Sequence, residues 1–157
     1  MKNYKELLDE NRAWAEETFK KVDKKLAAVT IRSRDKLVDG VGEDGVTHKS
    51  TNPKGWTAGF FGAMNVLMYN ATKNEEYLKT ARRSEELMDV ALNDYPTLHH
   101  DVGFMWHILS GALYRLTGDE NSKTRELYTA STLFSRYIPS AHFIRAWNGG
   151  ITMPHCR

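Results

Sequence analysis

Asp101 is the residue of this sequence best placed for acid–base chemistry. It follows His99 and His100 and precedes Val102-Gly103-Phe104-Met105, where helical spacing begins. The plainer reading of an aspartate there is an N-cap, contributing about 1 kcal/mol. The sharper one is a carboxylate that gives and takes a proton, with His100 as a neighbouring donor; both can hold. His99, His100 and His107 lack the i,i+4 or HExxH spacing of a helical metal site, so no metal site is expected. His48, His142 and His155 have no motif context. Trp56 and Trp147 follow polar, turn-rich stretches rather than apolar helix faces. Flat indoles so placed can stack on sugar faces, whereas Trp14 and Trp106 read as core. Arg145 could pair with a carboxylate through its planar fork, its plainer role being a surface ion pair. Met64, Met68, Met88 and Met105 read as core. Cys156 has no positioned base, and there is no Gly-rich phosphate loop, GxSxG elbow or CxxC.

The elements that position these residues are almost all helical. Leu8, Ala15, Phe19, Val22, Leu26 and Val29 recur at helical intervals across residues 3–29, opposite a lysine-rich face. From Val38 to Trp56 the period is lost in turn chemistry, Asp39-Gly40-Val41-Gly42-Glu43-Asp44-Gly45 and Asn52-Pro53-Lys54-Gly55. So long an irregular stretch points to a binding-site role. Two helical pairs follow. The first breaks at Thr72-Lys73-Asn74, with Asn74 as N-cap; the second breaks at Thr117-Gly118-Asp119, with Gly118 at the left-handed C′ position and Asp119 as N-cap. Tyr69-Asn70-Ala71-Thr72 aligns with Tyr114-Arg115-Leu116-Thr117 at an offset of 45, but Gly59-Phe60 aligns with Gly103-Phe104 at 44, so one residue is gained between. A period near 45 built of antiparallel helices is a helical-hairpin repeat, either an open array or a closed ring. Trp56 and Asp101 then precede equivalent helices at one end of the stack. Strand signal is confined to Ile144-Arg145-Ala146-Trp147.

The chain has 157 residues, 41% hydrophobic and 27% charged, a net charge of +2 and a mean hydropathy of −0.56. This profile fits one ordinary globular domain, which the helical spacing makes all-α, with no electrostatic case for nucleic acid and no membrane-spanning stretch. One cysteine and the absence of an apolar leader predict a cytoplasmic protein.

Four blocks carry a family resemblance: Trp56-Thr57-Ala58-Gly59-Phe60, His100-Asp101-Val102-Gly103-Phe104-Met105, Tyr114-Arg115-Leu116-Thr117-Gly118-Asp119-Glu120 and Ile144-Arg145-Ala146-Trp147. In order and spacing they resemble the unsaturated glucuronyl hydrolases, glycoside hydrolase family 88, over roughly residues 10–148. The resemblance implies an (α/α)6 barrel, or α/α toroid, acting on oligosaccharides that end in a 4,5-unsaturated uronic acid. The implied chemistry hydrates the vinyl ether of that sugar and uses no cofactor. It also implies that Asp101 is the first of two catalytic aspartates, that His100 stands beside it, and that Trp56 and Trp147 bound the sugar. The family's second aspartate, its principal acid/base, belongs beyond Arg157, and residues 148–157 do not resemble the family's continuation. The chain is therefore expected to be an incomplete, N-terminal part of the barrel and inactive as it stands. A ring of six hairpins needs about 270 residues before loops. An unfinished ring leaves apolar flanks bare, which predicts self-association through exposed hairpin faces. The alternatives are a non-catalytic helical-repeat fragment that binds sugar or protein, and an all-helical interaction domain unconnected with sugars.

Overall fold

Asn3 opens the first helix with a reciprocal cap. Its side chain accepts from the Glu6 N–H at 3.0 Å, and the Glu6 carboxylate accepts from the Asn3 N–H at 3.1 Å. The computed structural model, which describes residues 3–149, carries this helix, α1, from Tyr4 to Arg32. Its last turns are docked. Val29 and Thr30 are buried, the Thr30 hydroxyl donates to Asn65 Oδ1 at 2.7 Å, and the Tyr77 hydroxyl donates to the Asp23 carboxylate at 2.5 Å. Its earlier turns are not. Leu8, Trp14, Phe19 and Val22 are all exposed, so Trp14 is no core residue and the predicted apolar stripe is covered only at its end.

The stretch predicted to be irregular contains a small antiparallel hairpin, β1 (Val38–Val41) with β2 (His48–Ser50). Asp44 closes its turn. The carboxylate accepts from the Thr47 hydroxyl and from the Thr47 and Val46 N–H groups, which hold its pKa at about 2. Gly45 takes φ +68°, where a side chain would be strained. Strands of four and three residues without apolar alternation offer no period to read.

Two helical hairpins make up the rest. The first is α2 (Ala58–Thr72) and α3 (Glu75–Leu92). After a 3-10 turn at Tyr95–Thr97 comes a π-helical segment, Gly103–Gly111, which runs on into α4 (Ala112–Thr117) and then α5 (Glu120–Phe134). The two hairpin corners repeat bond for bond. Lys73 (φ 58°) and Gly118 (φ 72°) are left-handed, and each donates its N–H to a tyrosine carbonyl, Tyr69 or Tyr114, at 2.8 Å. Thr72 and Thr117 each donate a hydroxyl back to the carbonyl four residues earlier at 2.7 Å. Asn74 and Asp119 cap α3 and α5 as predicted. The extra residue found by aligning the repeats falls in the π segment. Gly59 to Tyr69 spans one residue fewer than Gly103 to Tyr114, and wider winding absorbs the surplus without shifting either end. A last short pair, β3 (Tyr137–Ile138) with β4 (Phe143–Ile144), follows α5. The extended piece predicted over residues 144–147 thus enters a strand only at Ile144.

The core lies between the hairpins, with Val66, Met88, Met105, Trp106, Leu109 and Leu113 buried together. Met64, predicted to be core, is exposed. Gly59 and Gly62 allow the close approach. A Cβ on Gly59 would run into the Met105 carbonyl, and one on Gly62 would stand 2.8 Å from Leu109. A polar seam joins α3 to α5: the Arg125 guanidinium binds Asp89 at 2.6 and 2.5 Å and buried Glu85 at 3.2 Å, and Ser122 donates to Glu85 at 2.9 Å. No helix among the described residues is long and apolar enough to cross a membrane.

Gly59→Ala should therefore cost about 2–3 kcal/mol by overpacking, read from urea denaturation. Glu85 gives a second measurement. Burial raises its pKa above the ordinary 4.5, against the lowering effect of its hydrogen bonds and of Arg125. In the window just above that value the native state holds a proton the unfolded chain has released, so this group's contribution to stability falls as pH rises through it. Glu85→Gln should remove that slope, seen as a wild-type-minus-variant stability difference that falls as pH rises above the ordinary glutamate value of 4.5.

Candidate active site

Gly59 packed on Met105 sets the N-terminal ends of α2 and the π segment side by side. The residues just before these two helices therefore emerge at one end of the molecule. Trp56 arrives ahead of α2. Its ring lies edge-on to Phe60 (5.8 Å, 89°) and to Phe104 (6.3 Å, 70°), and Phe60 and Phe104, the repeat-equivalent pair, stack at 6.4 Å. All three rings are partly exposed, and they form an apolar wall in which Trp56 stands edge-on to the stacked Phe60–Phe104 pair.

Asp101 arrives ahead of the π segment, and it does not cap it. The residue preceding the helix is Val102, and the helix start has no side-chain capping bond among the described residues. The Asp101 carboxylate is turned instead towards two imidazoles, with His99 Nδ1 and His100 Nε2 each 3.3 Å away. The Asp101 N–H donates to His99 Nδ1 at 3.2 Å. Burial pushes the His99 pKa down, against the Asp101 charge that raises it. A neutral ring whose Nδ1 carries the lone pair is what that hydrogen bond requires. His100 Nδ1 is buried and meets no hydrogen-bond partner among the described residues.

The third component is a strap, residues 145–148, held by one arginine. Arg136 Nε donates to the Arg145 carbonyl at 2.8 Å, Nη2 to the Ala146 and Trp147 carbonyls at 2.6 and 2.9 Å, and Nη1 to Asn148 Oδ1 at 2.7 Å. Asn148 in turn donates to the Pro96 and Leu98 carbonyls, both at 2.9 Å, and the His100 N–H donates to Ala146. The strap is thereby fastened to the loop that carries the histidines. Trp147 is left edge-on to His100, 4.8 Å between ring centres at 60°.

Of the residues singled out from sequence, His100 meets both Asp101 and Trp147, and Trp56 stands on the aromatic wall that includes Phe104. Arg145 lies apart, lining a groove with Tyr95 and Ser135. Cys156 and His155 fall outside the described residues, as does most of the tail from residue 148. Sequence reasoning missed His99 as a neighbour of the carboxylate, Phe104 as part of the wall, and Arg136 with Asn148 as the fasteners. His99 could have been found from its adjacency. Arg136 could not, because its partners are mostly backbone carbonyls, which carry no residue-type signal.

Ligand atoms of His99, His100 and Asp101 lie within 4.8 Å of one another, close enough for one cation. Helical spacing rules do not detect such a trio because it sits on a loop. Its donor set is already engaged internally, however: the His99 lone pair takes the Asp101 N–H, and the carboxylate faces both rings. The arrangement is a carboxylate that His100 Nε2 can serve as donor, while His99 Nδ1 takes the Asp101 N–H instead, beside exposed aromatic rings. It can exchange a proton with a group held against those rings.

No protein-family model matches the chain. It is 30% identical over 109 residues to an unsaturated glucuronyl hydrolase of Bacillus sp. (strain GL1), covering 64% of this chain and 29% of that protein. It is 28% identical over 93 residues to an unsaturated chondroitin disaccharide hydrolase of Streptococcus pneumoniae, covering 59% and 24%. Among solved structures it superposes on a heparin-specific unsaturated glucuronyl hydrolase with a TM-score of 0.65 at 26% identity, covering 83% of this chain and 36% of that one. It superposes on the Bacillus sp. GL1 enzyme with a TM-score of 0.68 at 25% identity, covering 82% and 34%. The chain thus spans 29% or less of the length of the curated relatives it matches. These structural neighbours are (α/α)6 barrels, and the hairpins described above are incomplete barrel of that kind. By sequence and by fold alike, this chain is a homologue of the unsaturated glucuronyl hydrolases, glycoside hydrolase family 88, matched over part of their length.

Proposed function

We propose that this chain forms one wall of a site for an oligosaccharide ending in a 4,5-unsaturated uronic acid, and that it binds this sugar without hydrolysing it by itself. The observation that carries the reading is the Asp101 carboxylate between His99 and His100, with Trp147 edge-on to His100. Two of the relatives are named for unsaturated glucuronyl and unsaturated chondroitin disaccharide substrates. Trp56 and Trp147 would pack against the sugar ring, and Asp101 would face its reacting carbons. In the reaction assigned to such sites a carboxylic acid delivers a proton to C4 and water adds its oxygen at C5. The proton lost by the water returns to a carboxylate, and the resulting hemiketal opens to release the remaining sugar. The family resemblance implies a principal acid/base besides Asp101, which is why binding rather than turnover is proposed for these residues alone.

Titration with an unsaturated chondroitin disaccharide should quench tryptophan emission. Trp56→Ala should weaken binding about tenfold, the equivalent of about 1.4 kcal/mol. The ultraviolet absorbance of the sugar's double bond should persist in the mixture; its prompt loss, abolished by Asp101→Asn, would overturn the non-hydrolytic part. No binding of any acidic sugar would sink the proposal as a whole. Arg136→Lys, which keeps the charge but loses the planar fork, should weaken binding by about tenfold with the helical circular dichroism unchanged.

A further inference from the structure

A polar groove of about 320 Å³ lies where three segments meet: the 3-10 turn at Tyr95–Thr97, the last turn of α5 and the strap. Tyr95, Thr132, Ser135, Arg136, Arg145 and Asn148 supply its polar lining. Neither the residues that face Asp101 nor the rings of the aromatic wall take part in it.

The hydrogen bonds already made in this lining decide what it can still accept or give. Ser135 donates its hydroxyl proton to the Thr132 carbonyl at 2.7 Å. With that proton committed, the 3.4 Å contact between the Tyr95 and Ser135 hydroxyls requires Tyr95 to be the donor. A hydroxyl has one proton but two lone pairs, so both oxygens are left as acceptors. The Asn148 amide is engaged at both ends, giving to the Pro96 and Leu98 carbonyls and taking from Arg136. Arg145 brings the opposite chemistry. Its guanidinium is exposed, has no ion pair among the described residues, and can only donate. Among the described residues no carboxylate lines the groove, and Asp94, the neighbour of Tyr95, is bound by Lys54.

A ligand that answers this lining needs an anionic group for the planar fork of Arg145 and hydroxyl donors for Tyr95 and Ser135. An inorganic anion such as sulfate has acceptors alone, so it would meet the two hydroxyl oxygens lone pair against lone pair. A neutral sugar leaves the guanidinium unanswered. A sugar that carries a carboxylate satisfies both, and a groove at the small end of ligand-binding cavities holds one ring rather than a chain.

We propose that this groove is a saccharide site separate from the one at Asp101, and that it holds a single uronic acid residue through Arg145. No carboxylate or imidazole lines it, so the sugar is held there and not altered, and a double bond in its ring is not required. Nothing in the assignment depends on Asp101. D-Glucuronate, which is saturated, is therefore the probe, titrated into the isotope-labelled chain and followed by NMR. The Arg145 side-chain Nε–H and the Ser135 amide should shift. Arg145→Gln, at an exposed position, should weaken that binding about tenfold or more, and Tyr95→Phe about threefold. Trp56→Ala should leave these shifts unchanged, which separates failure here from failure at the aromatic wall. D-Glucose should reproduce them only at much higher concentration. No shift at either group in the spectrum of a folded chain would overturn the proposal, as would undiminished binding by Arg145→Gln. Sulfate that gave the same shifts at the same concentration would overturn it too, because the groove would then be a site for an inorganic anion only.

Discussion

The contact on which the rest of the structure depends is the approach of the α2 backbone to the π segment at Gly59. Two helices can lie this close only where one of them has no side chain. Here the missing Cβ is replaced by the Met105 carbonyl. The same contact aligns the two helix starts, and that alignment carries Trp56 and the His99-His100-Asp101 loop to one end of the molecule. Core packing thus places two of the three components of the site, and the third, the Trp147 strap, is fastened separately by Arg136 and Asn148.

The π segment is the cost of keeping that alignment at both ends. The second hairpin has one residue more than the first between its glycine and its corner tyrosine. Packing at Gly59 holds the upstream end, and the Lys73- and Gly118-type corners hold the downstream end. An α-helix would have to rotate one end by about 100° to admit the surplus residue. Wider winding takes it up locally instead. The wide turn begins two residues after Asp101, so the stretch that positions the carboxylate is also the stretch that departs from the repeat.

Polar groups divide into two assemblies with different jobs. The seam of Glu85, Asp89, Ser122 and Arg125 ties α3 to α5 and is largely withdrawn from solvent. Arg136 with Asn148 does the corresponding work at the site, tying the Trp147 strap to the histidine loop through main-chain carbonyls. Arginine suits both places because its rigid fork serves several acceptors at once. The second hairpin, by contrast, leaves Leu127, Ala130 and Phe134 exposed at the positions where the first carries Arg82, Glu85 and Asp89.

Periodicity and capping chemistry determined the larger part of this fold. The paired helices, their corners at Lys73 and Gly118, the caps Asn74 and Asp119, and even the single surplus residue were legible because helix signals are local and repeat with the backbone. Asp101, His100, Trp56 and Trp147 were legible as candidates because their residue types stand out against polar loops. Other features came only from tertiary structure. The β1–β2 hairpin is too short to show a period, and among the described residues the apolar stripe of α1 is covered only at its last turns. The carboxylate of Asp101 faces imidazoles instead of capping, and Arg136 chooses carbonyls as partners. Local spacing says which face of an element is apolar or which residue could cap; whether a partner arrives to use it depends on atoms distant in the chain, and those only the folded structure brings together.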